Sequence, residues 1–241
     1  MPGFRRLKGE VAEALSVPDW AEAVFRLDCS GEELAGPLFA HLLHKDELVR
    51  WRAAEAFGML AGRMAAERPE AARMLMRKFM WRMNEESGNL GWGIPESMAC
   101  AMVRDATLAR EFHTILASYI YTGERLDGNY LDHAPLRRGV YWGLGRLAGE
   151  RPGLVAHAAG HLVAALESED DAANRGLAAR ALGLLAQGGE LAGAPGAEGA
   201  RAGLEALADD PGELRLYRGG AVEDATVGEL AREALQRMET A

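Results

Sequence analysis

Apolar positions recur with a helical period along most of this chain. Val49, Ala53, Ala56, Phe57 and Leu60 fall at i, i+4, i+7, i+8 and i+11, which is one face of an α-helix. Leu75, Phe79 and Met83 extend the same pattern after Pro69. The punctuation agrees with it. Asp46, Pro69, Pro95 and Asp105 stand where helices are expected to begin, and Pro135, Pro152 and Asp170-Asp171 open further helices near 134–149, 152–167 and 172–187. Ser30-x-x-Glu33 and Thr226-x-x-Glu229 have the spacing of capping boxes, and Ser16 is placed to cap a short helix at Pro18-Asp19. Three stretches interrupt the pattern: Asn84–Glu96, the polar run 122–133, and the Gly- and Ala-rich run 188–199, which reads as a linker. Leu214–Tyr217, then Arg-Gly-Gly, then Ala221–Glu223 predicts a β-hairpin.

Within the helical pattern one phrase is written three times. Arg-x7-Gly runs from Arg50 to Gly58, Arg137 to Gly145 and Arg175 to Gly183, each inside an Ala-rich helix. Self-similarity of this kind predicts stacked helix pairs, about five of them, in an all-α superhelical solenoid spanning residues 1–241 as one domain. The irregular region 188–225 would hold the linker, a short helix and the hairpin. An isolated hairpin is marginal in water, so this one is expected to lie against helices or a partner.

Composition narrows the function. Apolar residues make up 49% of the 241 residues and aromatics only 7%, so small side chains must supply much of the packing surface. The formal net charge is −9, from 27 Lys plus Arg against 36 Asp plus Glu, which argues against nucleic acid as the main partner. Cys29 and Cys100 are too few and too far apart for a disulfide framework or a thiolate metal site. No stretch has the length of an apolar membrane span and the N-terminal run lacks the apolar core of a secretory signal, so a cytoplasmic location is expected.

Asp46-x3-Arg50 and Asp171-x3-Arg175, each followed by an Ala-rich helix and a Gly, resemble the pattern of HEAT-repeat proteins, most nearly the short bacterial type related to phycobilisome-lyase repeats. The resemblance runs from about Leu34 to Gln187. It implies that the acidic residue and the Arg form a ladder between neighbouring repeats. Asp132 and Arg137 depart from the pattern, being five apart. The family includes scaffolds, adaptors and a few enzymes, so the likeness speaks to architecture.

The segment Trp81–Glu96 is the feature that no generic repeat needs. It concentrates two Trp, three Glu, two Asn and three Gly in one interruption of the helix pairs. Trp51/Glu55, Trp81/Glu85 and Trp92/Glu96 each set a carboxylate four residues after an indole, a combination that suits a cation. The candidate binding residues are Trp51, Arg52, Glu55, Trp81, Asn84, Glu85, Glu86, Trp92, Glu96, Arg138 and Trp142. Arg50 and Arg137 fit the ladder better than a binding role. His41/His44 and His157/His161 have no further metal-ligand partners in sequence, so surface or interhelix histidines are expected. No nucleophile elbow, phosphate-binding loop or zinc-protease motif occurs, and no catalytic residue, metal or cofactor is assigned.

These features predict a non-catalytic scaffold or adaptor that holds a protein partner, a basic or extended segment, on a concave face and on the 81–96 loop. The alternative, implied by the family likeness, is a bilin-lyase-like enzyme or chaperone with a tetrapyrrole or other small ligand against Trp81, Trp92, Tyr130 and Trp142.

Overall fold

The computed structural model describes residues 3–84, 91–121 and 129–241. Among these the chain forms twelve α-helices and one two-stranded antiparallel hairpin. The helices are α1 Phe4–Ser16, α2 Trp20–Phe25, α3 Gly31–His41, α4 Glu47–Glu67, α5 Pro69–Met83, α6 Ile94–Arg104, α7 Ala106–Ser118, α8 Ala134–Ala148, α9 Ala159–Ser168, α10 Ala172–Gln187, α11 Ala200–Ala206 and α12 Val227–Thr240. Strands β1 Glu213–Arg218 and β2 Ala221–Thr226 meet at Gly219 and Gly220, whose φ of 61° and 85° a two-residue hairpin turn of this hand requires. The backbone divides into two compact units, Met1–Leu108 with Gly219–Val222, and Ala109–Arg218 with Glu223–Ala241.

In the first unit, Phe39, Phe57 and Phe79 join α3, α4 and α5, with ring centroids 4.6 to 5.6 Å apart. Every apolar position predicted on α4 is buried, as are Leu75, Phe79 and Met83 on α5. Asp46 caps α4 through its carboxylate, which accepts from the amides of Leu48 and Val49 at 2.9 and 3.4 Å. The Ser30 and Thr226 capping boxes both form. Ser16 does not cap the second helix; its hydroxyl donates back to the Ala12 carbonyl at 2.7 Å, inside its own helix.

In the second unit, α10 packs between α8 and α12. The helix expected over 152–167 is shorter, with two 3₁₀ turns, Pro152–Leu154 and Ala156–Ala158, leading into α9. The turns close through i→i−3 bonds such as Val155 to Pro152 and Ala158 to Val155, and in the first turn of α9 the Gly160 amide donates to the Pro195 carbonyl at 3.0 Å. That bond also corrects the reading of 188–199 as a linker. Leu191 and Ala194 are buried, and a Cβ on Gly196 would stand 2.7 Å from the Gly160 Cα, so the glycines serve close packing.

The repeated Arg and Gly have distinct jobs. Each Gly is where the next helix crosses. A Cβ on Gly58 would come within 2.7 Å of the Cys100 carbonyl oxygen on α6, one on Gly145 within 3.7 Å of Ala181 on α10, and one on Gly183 within 2.6 Å of the Ala234 Cα on α12. Each Arg clasps the turn that precedes its own helix. Arg50 donates from Nη1 to the carbonyls of His44 and Lys45 at 2.9 and 3.4 Å. Arg137 repeats this on Leu131 and Asp132 at 2.5 and 3.0 Å. Arg175 repeats it on Glu169 and Asp170 at 2.9 and 3.0 Å. The long side chain reaches back over one helical turn and satisfies carbonyls that the turn leaves unpaired.

Candidate functional site

The ladder exists in the second unit, with partners one step removed from those expected. Arg137 grips Glu169 through two hydrogen bonds of 2.7 Å, and Arg175 grips Asp210 at 2.9 and 3.2 Å. The cap residue Asp171 pairs with Arg138 at 3.1 Å while also accepting from the Asn174 amide at 3.2 Å. Glu169 is buried, and burial alone would raise its pKa. The hydrogen bonds from Arg137, Asn174 and Tyr141 outweigh that and hold its carboxyl below the usual range. Burial and the same carboxylate push the Tyr141 phenol up. This network is structural cement, and sequence spacing alone gave no sign that Glu169 and Tyr141 belonged to it.

Of the expected binding residues, Trp142 and Arg52 turn inward. Trp142 is 3% exposed, and its indole N–H donates to the Tyr217 carbonyl of β1 at 2.8 Å, so it anchors the hairpin to α8. Arg52 donates to the carbonyls of Leu15 and Val17 at 2.7 and 3.1 Å, closing the end of α1. Arg138 is exposed and ion-paired to Asp171. Tyr130 lies under the Arg137 guanidinium, 4.9 Å from the ring centroid. The two described cavities are bounded by other residues: one of about 370 Å³ by β2 and α12, and one of about 160 Å³ by α2, α3 and α4 around Phe25 and Met64.

The remaining candidates belong to the first unit: Trp51 and Glu55 on α4, and the others on either side of the α5–α6 connection. Trp81 is 61% exposed on the last turn of α5, and Asn84 closes that helix, its amide donating to the Trp81 carbonyl at 3.2 Å. Glu85 and Glu86 lie outside the described residues. Trp92 is half-buried and precedes Gly93, whose φ of 73° turns the chain into α6. Trp51 and Glu55 are half-buried on α4.

Glu96, in the first turn of α6, has the most perturbed carboxyl among the described residues. The residue retains some exposed surface, yet its Oε2 is sealed from solvent and has no hydrogen-bond partner. Burial pushes its pKa up to about 7, against its own backbone amide and the charge of Arg50. At neutral pH it is poised between its two forms, and a donor brought to Oε2 would favour the ionised one.

The histidines find aromatic neighbours. His161 stacks on Tyr121 with centroids 4.2 Å apart, and His157 meets His113 edge-on at 4.9 Å. Among the described residues no group of three or more His, Cys, Asp or Glu is arranged to hold a metal ion. None of the described helices is long and apolar enough to cross a membrane.

No family model and no curated protein matches this chain. Solved structures do match it over nearly its whole length. An engineered protein from a structural genomics consortium aligns with a TM-score of 0.61 at 17% identity, covering 100% of both chains. A designed armadillo repeat protein aligns at 0.52 and 15% identity, covering 96% of this chain and 99% of its own. The fold is an armadillo- or HEAT-like helical repeat. Computationally designed armadillo repeat proteins for modular peptide recognition align as well, at 0.55 and 14% identity, covering 97% and 92%. Identities this low bear on architecture alone.

Proposed function

We propose that this helical-repeat protein is a non-catalytic scaffold that holds an extended, basic segment of a protein partner. The segment would lie at the α5–α6 connection and along the recognition face that stacked repeats offer on their second helices. The observation that carries the reading is Oε2 of Glu96, withdrawn from water without a hydrogen-bond partner and four residues after Trp92 in the chain. A lysine or arginine on the partner would supply the missing donor, and an indole it met there would add to the attraction. Trp81, with most of its surface in solvent, would be an anchor that is desolvated on binding. The likeness to repeat proteins designed for modular peptide recognition supports the same class of partner.

The test is fluorescence anisotropy with a labelled Lys/Arg-rich peptide. Trp92→Ala is expected to weaken binding by about tenfold or more, the scale of a lost aromatic anchor, with helix content unchanged. Unaltered affinity would show that the α5–α6 connection is structural.

A further inference from the structure

On α4, Arg63 and Glu67 stand one helical turn apart, a spacing that sets two side chains on the same face. Elsewhere in the chain the same Arg-x3-Glu spacing closes into a pair. Arg6 meets Glu10 at 2.7 Å, Arg146 meets Glu150 at 3.3 Å and Arg201 meets Glu205 at 4.0 Å. Arg63 and Glu67 are different: among the described residues they form no ion pair, with each other or with a neighbour. The Arg63 guanidinium lies instead over the Phe25 ring, 5.0 Å from its centroid.

Both side chains are exposed, and both line the cavity of about 160 Å³ in the first unit, so the cavity opens to solvent beside them. Its apolar wall includes Phe25, Leu27, Cys29, Leu34, Leu60 and Met64, from α2, the turn after it, α3 and α4. Burial, then the carboxylates of Glu33, Asp28 and Glu10, push the Cys29 thiol up, so it stays protonated and acts as a small apolar group. Arg68, also at the rim, is taken by Glu32 at 2.5 Å. The volume is close to that of an engineered apolar cavity that holds one benzene ring, roughly 150 Å³. It suits one small apolar body. A ligand with a single charge would leave the opposite rim group uncompensated beside it, whereas a zwitterion matches both.

We propose that this cavity binds a free apolar α-amino acid, its side chain among Phe25, Leu34, Leu60 and Met64, its carboxylate at Arg63 and its ammonium at Glu67. The apolar wall selects against small polar amino acids, and the two rim charges select against molecules that carry only one of the head groups. The site is independent of the α5–α6 connection, because none of its lining residues is shared with it.

The test uses the full chain with L-leucine as probe and glycine as reference, read by calorimetric titration and thermal unfolding. Leucine is expected to bind and to raise the melting temperature above the glycine reference. Its analogues 4-methylpentanoate, without the ammonium, and 3-methylbutylamine, without the carboxylate, are each expected to bind about tenfold more weakly, the scale of one charge-assisted hydrogen bond. Arg63→Met and Glu67→Gln change exposed side chains and are expected to weaken leucine by a similar factor with folding intact. Arg201→Gln, in the other unit, is expected to leave binding unchanged. Cys29 reports the location, since Cys100 is buried: saturating leucine is expected to slow modification of Cys29 by an aromatic disulfide reagent. No response to leucine beyond glycine, equal binding of either analogue, unchanged affinity in Arg63→Met, or an unaltered Cys29 rate with leucine bound would each overturn the proposal.

Discussion

Glu169 accepts hydrogen bonds from two nitrogens of Arg137, from Tyr141 and from Asn174, whereas the sealed oxygen of Glu96 accepts none. Both are carboxyls drawn out of water, and the difference in donors sends their proton affinities opposite ways. Removing the partner of Glu169 strands a buried charge, so Arg137→Ala is expected to destabilise the protein by about 3–5 kcal/mol in urea unfolding. Glu96 carries the opposite expectation. A rise from 4.5 to about 7 means that keeping the carboxylate ionised costs on the order of 3 kcal/mol. The folded state holds this proton more tightly than the unfolded chain. Its contribution is therefore complete below about 4.5 and is lost as pH rises through about 7. Glu96→Gln is expected to raise stability at pH 8, with the gain vanishing as the pH is lowered towards 5, measured by thermal unfolding across that range. A constant difference over the whole range would mean that Glu96 does not titrate as described.

At the scale of the element, the three glycines of the repeated phrase set how closely successive helices approach. Helix propensity favours alanine over glycine by about 1 kcal/mol, and at a free helical position that term decides. Gly9 on α1 has nothing within 4 Å of where a Cβ would sit, so Gly9→Ala is expected to stabilise modestly. At Gly183 the same Cβ would stand 2.6 Å from the Ala234 Cα, backbone that cannot step aside. Overpacking of this kind costs about 1–3 kcal/mol and wins, so Gly183→Ala is expected to lower the midpoint of urea unfolding. The recurrence of Arg and Gly was readable in the sequence because spacing along one helix is local. The ion-pair partners were not, because Arg138 meeting Asp171 and Arg137 meeting Glu169 depend on the rotation of one helix against the next. Ser16 and the 188–199 run show a related limit: residue type suggested a cap and a linker, and the packing used them otherwise.

For the whole molecule, the all-α repeat fold with its C-terminal hairpin was legible from periodicity, caps and the repeated phrase. The site was legible in part. Trp81, Trp92 and Glu96 stand out in sequence because they interrupt the repeats, and the structure leaves Trp81 open to solvent and Oε2 of Glu96 without a donor. Trp142 looked equivalent by composition, yet it is consumed by the hairpin, a long-range contact that spacing does not reveal.

The central claim, that a basic segment is held at the α5–α6 connection, is tested most directly by hydrogen exchange read by mass spectrometry with and without a saturating Lys/Arg-rich peptide. The account predicts slower exchange in peptides covering the end of α5 and the start of α6, and loss of that protection in Trp92→Ala. Protection confined to other helices, or none in the presence of bound peptide, would contradict it.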